Sequence, residues 1–157
     1  MLCAISQREI RDILDQVMRE ITSRMTEIYP CKGESVLSND ICTVHTTFEG
    51  GYSATLTMCV DTALLTRLTR QAIEEEEVSP QDIEDFAKEY FNVICGNIVN
   101  KVFQLAHVAS RFHIPSFCVG RRALSEEGRC RCVLNYTSSR NEGAQLIHEP
   151  PSGTAQG

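Results

Sequence analysis

Apolar residues recur along the first part of the chain with the period of a helix. Ile10, Ile13, Leu14, Val17, Ile21, Met25 and Ile28 fall on one stripe, because residues three, four and seven apart share a face at 3.6 residues per turn. Ser6-Gln7-Arg8-Glu9 precedes the stripe as a capping box, the serine hydroxyl accepting from the third amide while the glutamate reaches back. Pro30 and Gly33 are expected to end the helix. The period then changes to two. From Ile41 to Phe48, Cys42, Val44, Thr46 and Phe48 make one face, and Ile41, Thr43, His45 and Thr47 the other. Ser53 to Val60 alternates again, with Ala54, Leu56, Met58 and Val60 together. Gly50-Gly51 lies between them and is expected to supply the positive φ angles of a tight turn, so the pair reads as a β-hairpin.

Helical spacing returns with Leu64, Leu65, Leu68, Ala72 and Ile73, and Asp61 is placed to cap that helix. Glu74-Glu75-Glu76-Glu77 opposes the macrodipole at its end and predicts a solvated turn. Ser79-Pro80-Gln81-Asp82 opens a long helix predicted to reach about Val108: serine caps, proline sits where its missing N–H costs nothing, and an acid occupies the first turn. Three strands are predicted after it, over Pro115 to Arg121, Arg129 to Thr137 and about Gly143 to His148. In the middle one, Cys130, Cys132, Leu134 and Tyr136 share a face. This order predicts an α+β fold, a largely antiparallel β-sheet packed against long helices. Residues 1–148 read as one domain and residues 149–157 as a disordered tail without an apolar anchor.

Composition narrows the classes. In 157 residues, 15 Lys and Arg stand against 21 Asp and Glu, a net charge of −6. That balance argues against nucleic acid, whose binding needs a cationic surface to displace counterions. No apolar run approaches the roughly 20 residues of a membrane span, and the N-terminus has no signal-peptide pattern. The expectation is a cytoplasmic protein with no membrane partner. Eight cysteines (Cys3, Cys31, Cys42, Cys59, Cys95, Cys118, Cys130 and Cys132) contain no Cys-x-x-Cys pair. They read as reduced thiols serving mostly as small apolar residues. Zinc on His113, Cys118, Cys130 and Cys132 is the competing reading, but Cys-x-Cys is poor spacing for tetrahedral ligands and strand alternation explains that pair better. No metal site is expected.

The long helix breaks its own pattern. Tyr90, Phe91, Ile94, Ile98, Val102 and Leu105 gather on its core face. Asp85, Glu89, Asn92 and Gly96, at i, +4, +7 and +11, form a narrow stripe on the opposite side. A carboxylate and a carboxamide at i and i+3 project together, with about 5–6 Å between their Cβ atoms. Glycine inside a helix costs about 1 kcal/mol against alanine, and either tight helix packing or close approach of a partner could repay it. His107 and His113, flanking the helix end, read as surface residues.

Asp85-x3-Glu89-x2-Asn92, followed by Pro115, resembles the signature of the CheC/CheX/FliY chemotaxis phosphatases, and Glu89-Tyr-Phe-Asn92-Val-Ile-Cys-Gly96-Asn97 is similar to that family's helix. Two-site members repeat the signature on the first helix. Here, aligning Asp85 with Asp12 puts Gln16, Arg19 and Ser23 at the positions of Glu89, Asn92 and Gly96, so the pair is missing. One signature on the later helix resembles the CheX branch. The resemblance implies a phosphatase acting on the aspartyl phosphate of a CheY-like response regulator, and a homodimer joined through the sheet. Asn92 and Glu89 would be catalytic: Asn92 orients the attacking water, and Glu89 pairs with the receiver's active-site lysine. Asp85, Gly96 and Pro115 would support docking. No cofactor is expected on this chain, Mg²⁺ being carried by the receiver. The alternatives are a receiver-binding module without catalysis, and a metal or redox domain resting on the cysteines.

Overall fold

Local signals start both long helices as expected in the computed structural model, which describes residues 5–32, 37–121 and 131–151. Helix α1 spans Gln7–Met25, and Ser6 and Glu9 exchange both bonds of the capping box. Its stripe outlasts its helical backbone. Thr26 ends α1 by donating from its hydroxyl to the Thr22 carbonyl, and it accepts from the Ile28 amide. Ile28 is thus buried by extended chain, not by another turn. Helix α2 spans Thr62–Ile73, with Glu74 in the left-handed region at its end, so the acidic run lies outside the helix. Helix α3 spans Pro80–Ala106, opened by Ser79 and Asp82 and closed by His107 in the left-handed region.

Among the described residues seven strands make one antiparallel sheet: β1 (Cys31–Lys32), β2 (Ile41–Gly50), β3 (Ala54–Asp61), β4 (Ser110–Phe112), β5 (Ser116–Val119), β6 (Cys132–Thr137) and β7 (Gly143–Glu149). Their order is β1-β6-β7-β3-β2-β4, with β5 also on β2. The short β1 and β4 go beyond the sequence expectation. Both are too brief to show a period and exist by pairing with distant strands: β4 sets Phe112 opposite Phe48 and Ser110 opposite Gly50. β7 runs one residue into the expected tail, where Glu149 is buried and bonded by Arg131. The start of the strand expected from Arg129, and residues 152–157 of the expected tail, lie outside the described residues.

Helices α1, α2 and α3 pack on one face of the sheet. Cys42, Val44, Phe48, Leu56, Met58, Val60, Leu134 and Leu146 meet the stripe of α1, the apolar face of α2 and the core face of α3. A smaller cluster of Ile41, Cys59 and Ile147 lies on the other face. Four described cysteines, Cys42, Cys59, Cys95 and Cys132, are buried, while Cys31 and Cys118 are exposed.

Three expectations are corrected. Asp61 stands at the start of α2 but does not cap it with its side chain. Its carboxylate accepts instead from the amides of Ser38 and Gly143, at 2.7 Å each, and ties three segments at one end of the sheet. Leu105 sits on the core face of α3 yet is 48% exposed. The neighbouring Ala106 packs on the core, and the Ala109 carbonyl just past α3 accepts from the Gly51 amide, so the helix end stays seated on the hairpin and the exposure is local to Leu105. In the hairpin only Gly50 takes a positive φ. Both glycines are needed for close approach: a Cβ on Gly50 would meet the Ala109 carbonyl oxygen at 2.9 Å, and one on Gly51 the Val108 side chain at 2.6 Å.

Candidate functional site

The exposed side of α3 is set by what anchors its buried side. Tyr90, Phe91, Ile94, Cys95, Ile98 and Val102 are enclosed. The Tyr90 hydroxyl is hydrogen-bonded to the Thr22 hydroxyl on α1, and burial pushes its pKa up to about 12. Burial likewise pushes the Cys95 thiol up, which keeps it protonated and unfit as a nucleophile. Tyr136 donates to Asp15 at 2.7 Å and ties α1 to β6. With Tyr90 held inward, Glu89 and Asn92 on either side must point outward.

The structure brings Asp85, Glu89 and Asn92 together on that outward face, all exposed, with Gly96 half-exposed beyond them. Gln81 donates to Asp85 at 2.8 Å, which orients that carboxylate one turn from the helix start. Lys88 is paired with Glu84 at 2.8 Å, and Asn97 donates to the Val93 carbonyl of its own helix. Neither the Glu89 carboxylate nor the Asn92 carboxamide is hydrogen-bonded or ion-paired to another described residue. A Cβ placed on Gly96 meets nothing within 4 Å. Tight helix packing therefore does not account for this glycine, and close approach from outside remains.

Pro115 comes from a different element. It is buried in the link between β4 and β5, on the sheet edge that packs against α3. The link is clamped to β2 just ahead of the proline: Thr46 donates to the His113 carbonyl at 2.6 Å, and the His113 amide donates to the Thr47 carbonyl at 3.1 Å. His113 and Arg111 also hold Glu49 at 2.9 and 3.3 Å. Beyond Pro115, β5 runs to Val119, opposite Cys42, which faces Val60 in turn. β5, like β4, is in contact with α3, so the clamped link that carries Pro115 lies beside that helix. The sequence places Thr46 on a strand face and His113 at the surface but gives no hint of their bond, because a clamp between residues 67 positions apart leaves no local signal.

On α1 the corresponding face is occupied differently. Gln16 donates to Glu20, and Arg19 is paired with Asp15. Among the described residues no cluster of three His, Cys, Asp or Glu side chains could hold a metal ion, and no helix is long and apolar enough to cross a membrane. The exposed pair of α3 offers one carboxylate for a cation, and beside it one group that both donates and accepts hydrogen bonds.

Comparison with known proteins gives the same fold. The sequence profile of the family described as Chemotaxis phosphatase CheX matches residues 42–137. The crystal structure of the chemotaxis protein CheX from Desulfovibrio desulfuricans superposes with a TM-score of 0.77 at 12% identity, covering 91% of this chain and 99% of that one. CheX from Vibrio vulnificus gives 0.76 at 10% identity, covering 93% and 99%. CheX from Borrelia burgdorferi, solved in complex with CheY, BeF₃ and Mg²⁺, gives 0.64 at 14% identity, covering 92% and 97%. No curated protein sequence matches this chain.

Proposed function

The chain belongs to the CheX family of chemotaxis phosphatases, and on that premise we propose that it hydrolyses the aspartyl phosphate of a CheY-like response regulator, ending a chemotaxis or other two-component signal. The observation that carries this reading is the pair Glu89 and Asn92, side by side on the exposed face of α3 and free of intramolecular partners, next to an open Gly96. The complex of the similar Borrelia burgdorferi protein with CheY supports a receiver as the partner.

The chemistry asks for positioning more than for a base. The oxygen of a water attacks phosphorus as the bond from phosphorus to the aspartyl oxygen breaks. The carboxylate leaves, and the water's proton passes to the phosphate formed. An acyl phosphate has a good leaving group, so an in-line water held at the correct distance supplies most of the acceleration. The Asn92 carboxamide oxygen accepts from that water, while its NH₂ donates to a phosphoryl oxygen. Glu89, which stands about one turn away, takes the receiver's active-site lysine as its counter-charge and sets the approach of the two proteins. Mg²⁺, bound by the receiver, neutralises phosphoryl charge. Asp85 and Pro115 support the surface, one at the helix start and one on the clamped link. The same family resemblance supports a homodimer joined through the sheet, which sedimentation equilibrium checks.

The test is the decay of CheY-like receivers phosphorylated with acetyl phosphate, followed with this protein at a small fraction of the receiver concentration. Several turnovers per molecule support the phosphatase. Binding with unchanged decay points instead to a receiver-binding module.

A further inference from the structure

The outward face of α3 does not stop at Gly96. Phe103 lies seven positions beyond Gly96 and eleven beyond Asn92, and each interval returns to within about 20° of the same direction. It continues the stripe about 10 Å further along the axis. It is 50% exposed, whereas the other aromatic residues of the helix, Phe86, Tyr90 and Phe91, are buried. Its ring meets His107 edge-on, with centroids 6.2 Å apart. His107 is the residue whose left-handed backbone ends α3, so the ring has a fixed neighbour on the side away from Gly96. Between Asn92 and Phe103 stand Gly96, where no side chain rises and open space surrounds the Cβ position, and at the edges of the stripe Val99, which is partly buried against the core, and the exposed Asn100.

We infer that Phe103 is the apolar anchor on which the receiver docks, its ring covered by the same phosphate-bearing surface that meets Glu89 and Asn92; this rests on the phosphatase reading above. Two physical arguments support the assignment. A stable protein interface covers about 800 Å² on each side, a patch roughly 30 Å across, and Glu89 to Phe103 spans about 21 Å of helix. A receiver seated on Glu89 and covering a patch of that width along the helix therefore reaches the ring. Secondly, one exposed ion pair contributes at most about 1 kcal/mol, so Glu89 alone holds a partner weakly. A pre-oriented aromatic ring is the usual source of the missing affinity. Phe103 acts on binding and touches no reacting atom.

The experiment compares wild type, Phe103→Ala and Phe103→Gln with Leu105→Ala, a control at a similarly exposed residue pointing about 160° away on the same helix. The probe is a CheY-like receiver treated with beryllium fluoride and Mg²⁺, titrated by calorimetry, alongside steady-state turnover of the phosphorylated receiver. Both Phe103 variants should raise Kd and KM by roughly tenfold with kcat within about twofold of wild type, while Leu105→Ala changes neither. Wild-type affinity in Phe103→Ala, with Asn92→Ala having lost turnover, overturns the anchor and leaves the phosphatase standing. Absence of both binding and turnover in the wild type removes the phosphatase reading and the anchor together.

Discussion

The hydroxyl of Tyr90, on the buried face of α3, is hydrogen-bonded to the hydroxyl of Thr22 on α1. This bond holds the rotation of α3 from below, one residue from Glu89 and two from Asn92. Tyr90→Phe keeps the ring and loses the bond, so stability should fall by about 1 kcal/mol with turnover within about threefold of wild type. Urea unfolding and receiver dephosphorylation on the same sample check both parts.

Asn92→Ala should abolish the acceleration of receiver dephosphorylation and leave receiver affinity within about threefold, because the carboxamide acts on the water and not on docking. Glu89→Ala should weaken both affinity and rate. A folded Asn92→Ala protein with full activity would falsify the mechanism.

Gly96→Ala separates folding from function. Its Cβ meets nothing within the protein, so the substitution should stabilise the fold by about 1 kcal/mol through helix propensity alone. It should also lower kcat/KM for the phosphorylated receiver by placing a methyl group in the partner's path. A stabilised variant with unchanged kcat/KM contradicts the close approach.

Arg67 on α2 grips Glu142, in the link between β6 and β7, with contacts of 2.6 to 3.2 Å, and both side chains are largely buried. Burial works to raise the Glu142 pKa, but the bonds from Arg67 and Ser138 outweigh it and hold the carboxyl below its ordinary value. Arg67→Ala strands that carboxylate and should cost about 2–3 kcal/mol at neutral pH. The bridge's contribution is present above the ordinary carboxylate pKa and is lost as pH falls through the lower folded-state value, so the variant's deficit should shrink in acid.

His148 on β7 is stacked on Tyr52, its Nε2 2.6 Å from the Tyr52 hydroxyl. Burial pushes its pKa down from 6.5 to about 4. Between those values the unfolded chain binds a proton that the folded chain refuses, so stability falls as pH falls. Moving from pH 7.5 to 5.5 should cost about 1.4 kcal/mol from this residue. His148→Phe should remove that part of the pH slope in urea titrations.

Much of the fold is legible because its signals are local. Ser6 with Glu9 and Ser79 with Asp82 mark helix starts within four residues, and Cys132, Leu134 and Tyr136 declare their shared face by alternation. The candidate site is legible for the same reason: Asp85, Glu89, Asn92 and Gly96 lie on one element, where spacing becomes direction. Asp61 shows where such reading fails. Its place before a helix predicts a cap, yet the Ser38 and Gly143 amides, 23 and 82 positions away, compete for the same carboxylate and win.

By itself the sequence determined the helices, the longer strands and the grouping of Glu89 with Asn92, since these depend on periods of 3.6 and 2 and on neighbours a few residues apart. Tertiary structure decided what solvent can reach. It left the space at Gly96 open, left Leu105 uncovered on the core face of α3, and clamped the link to Pro115 through Thr46. Each of these depends on which distant surfaces are brought into contact, and a surface that no other segment covers has no signature in the order of residues.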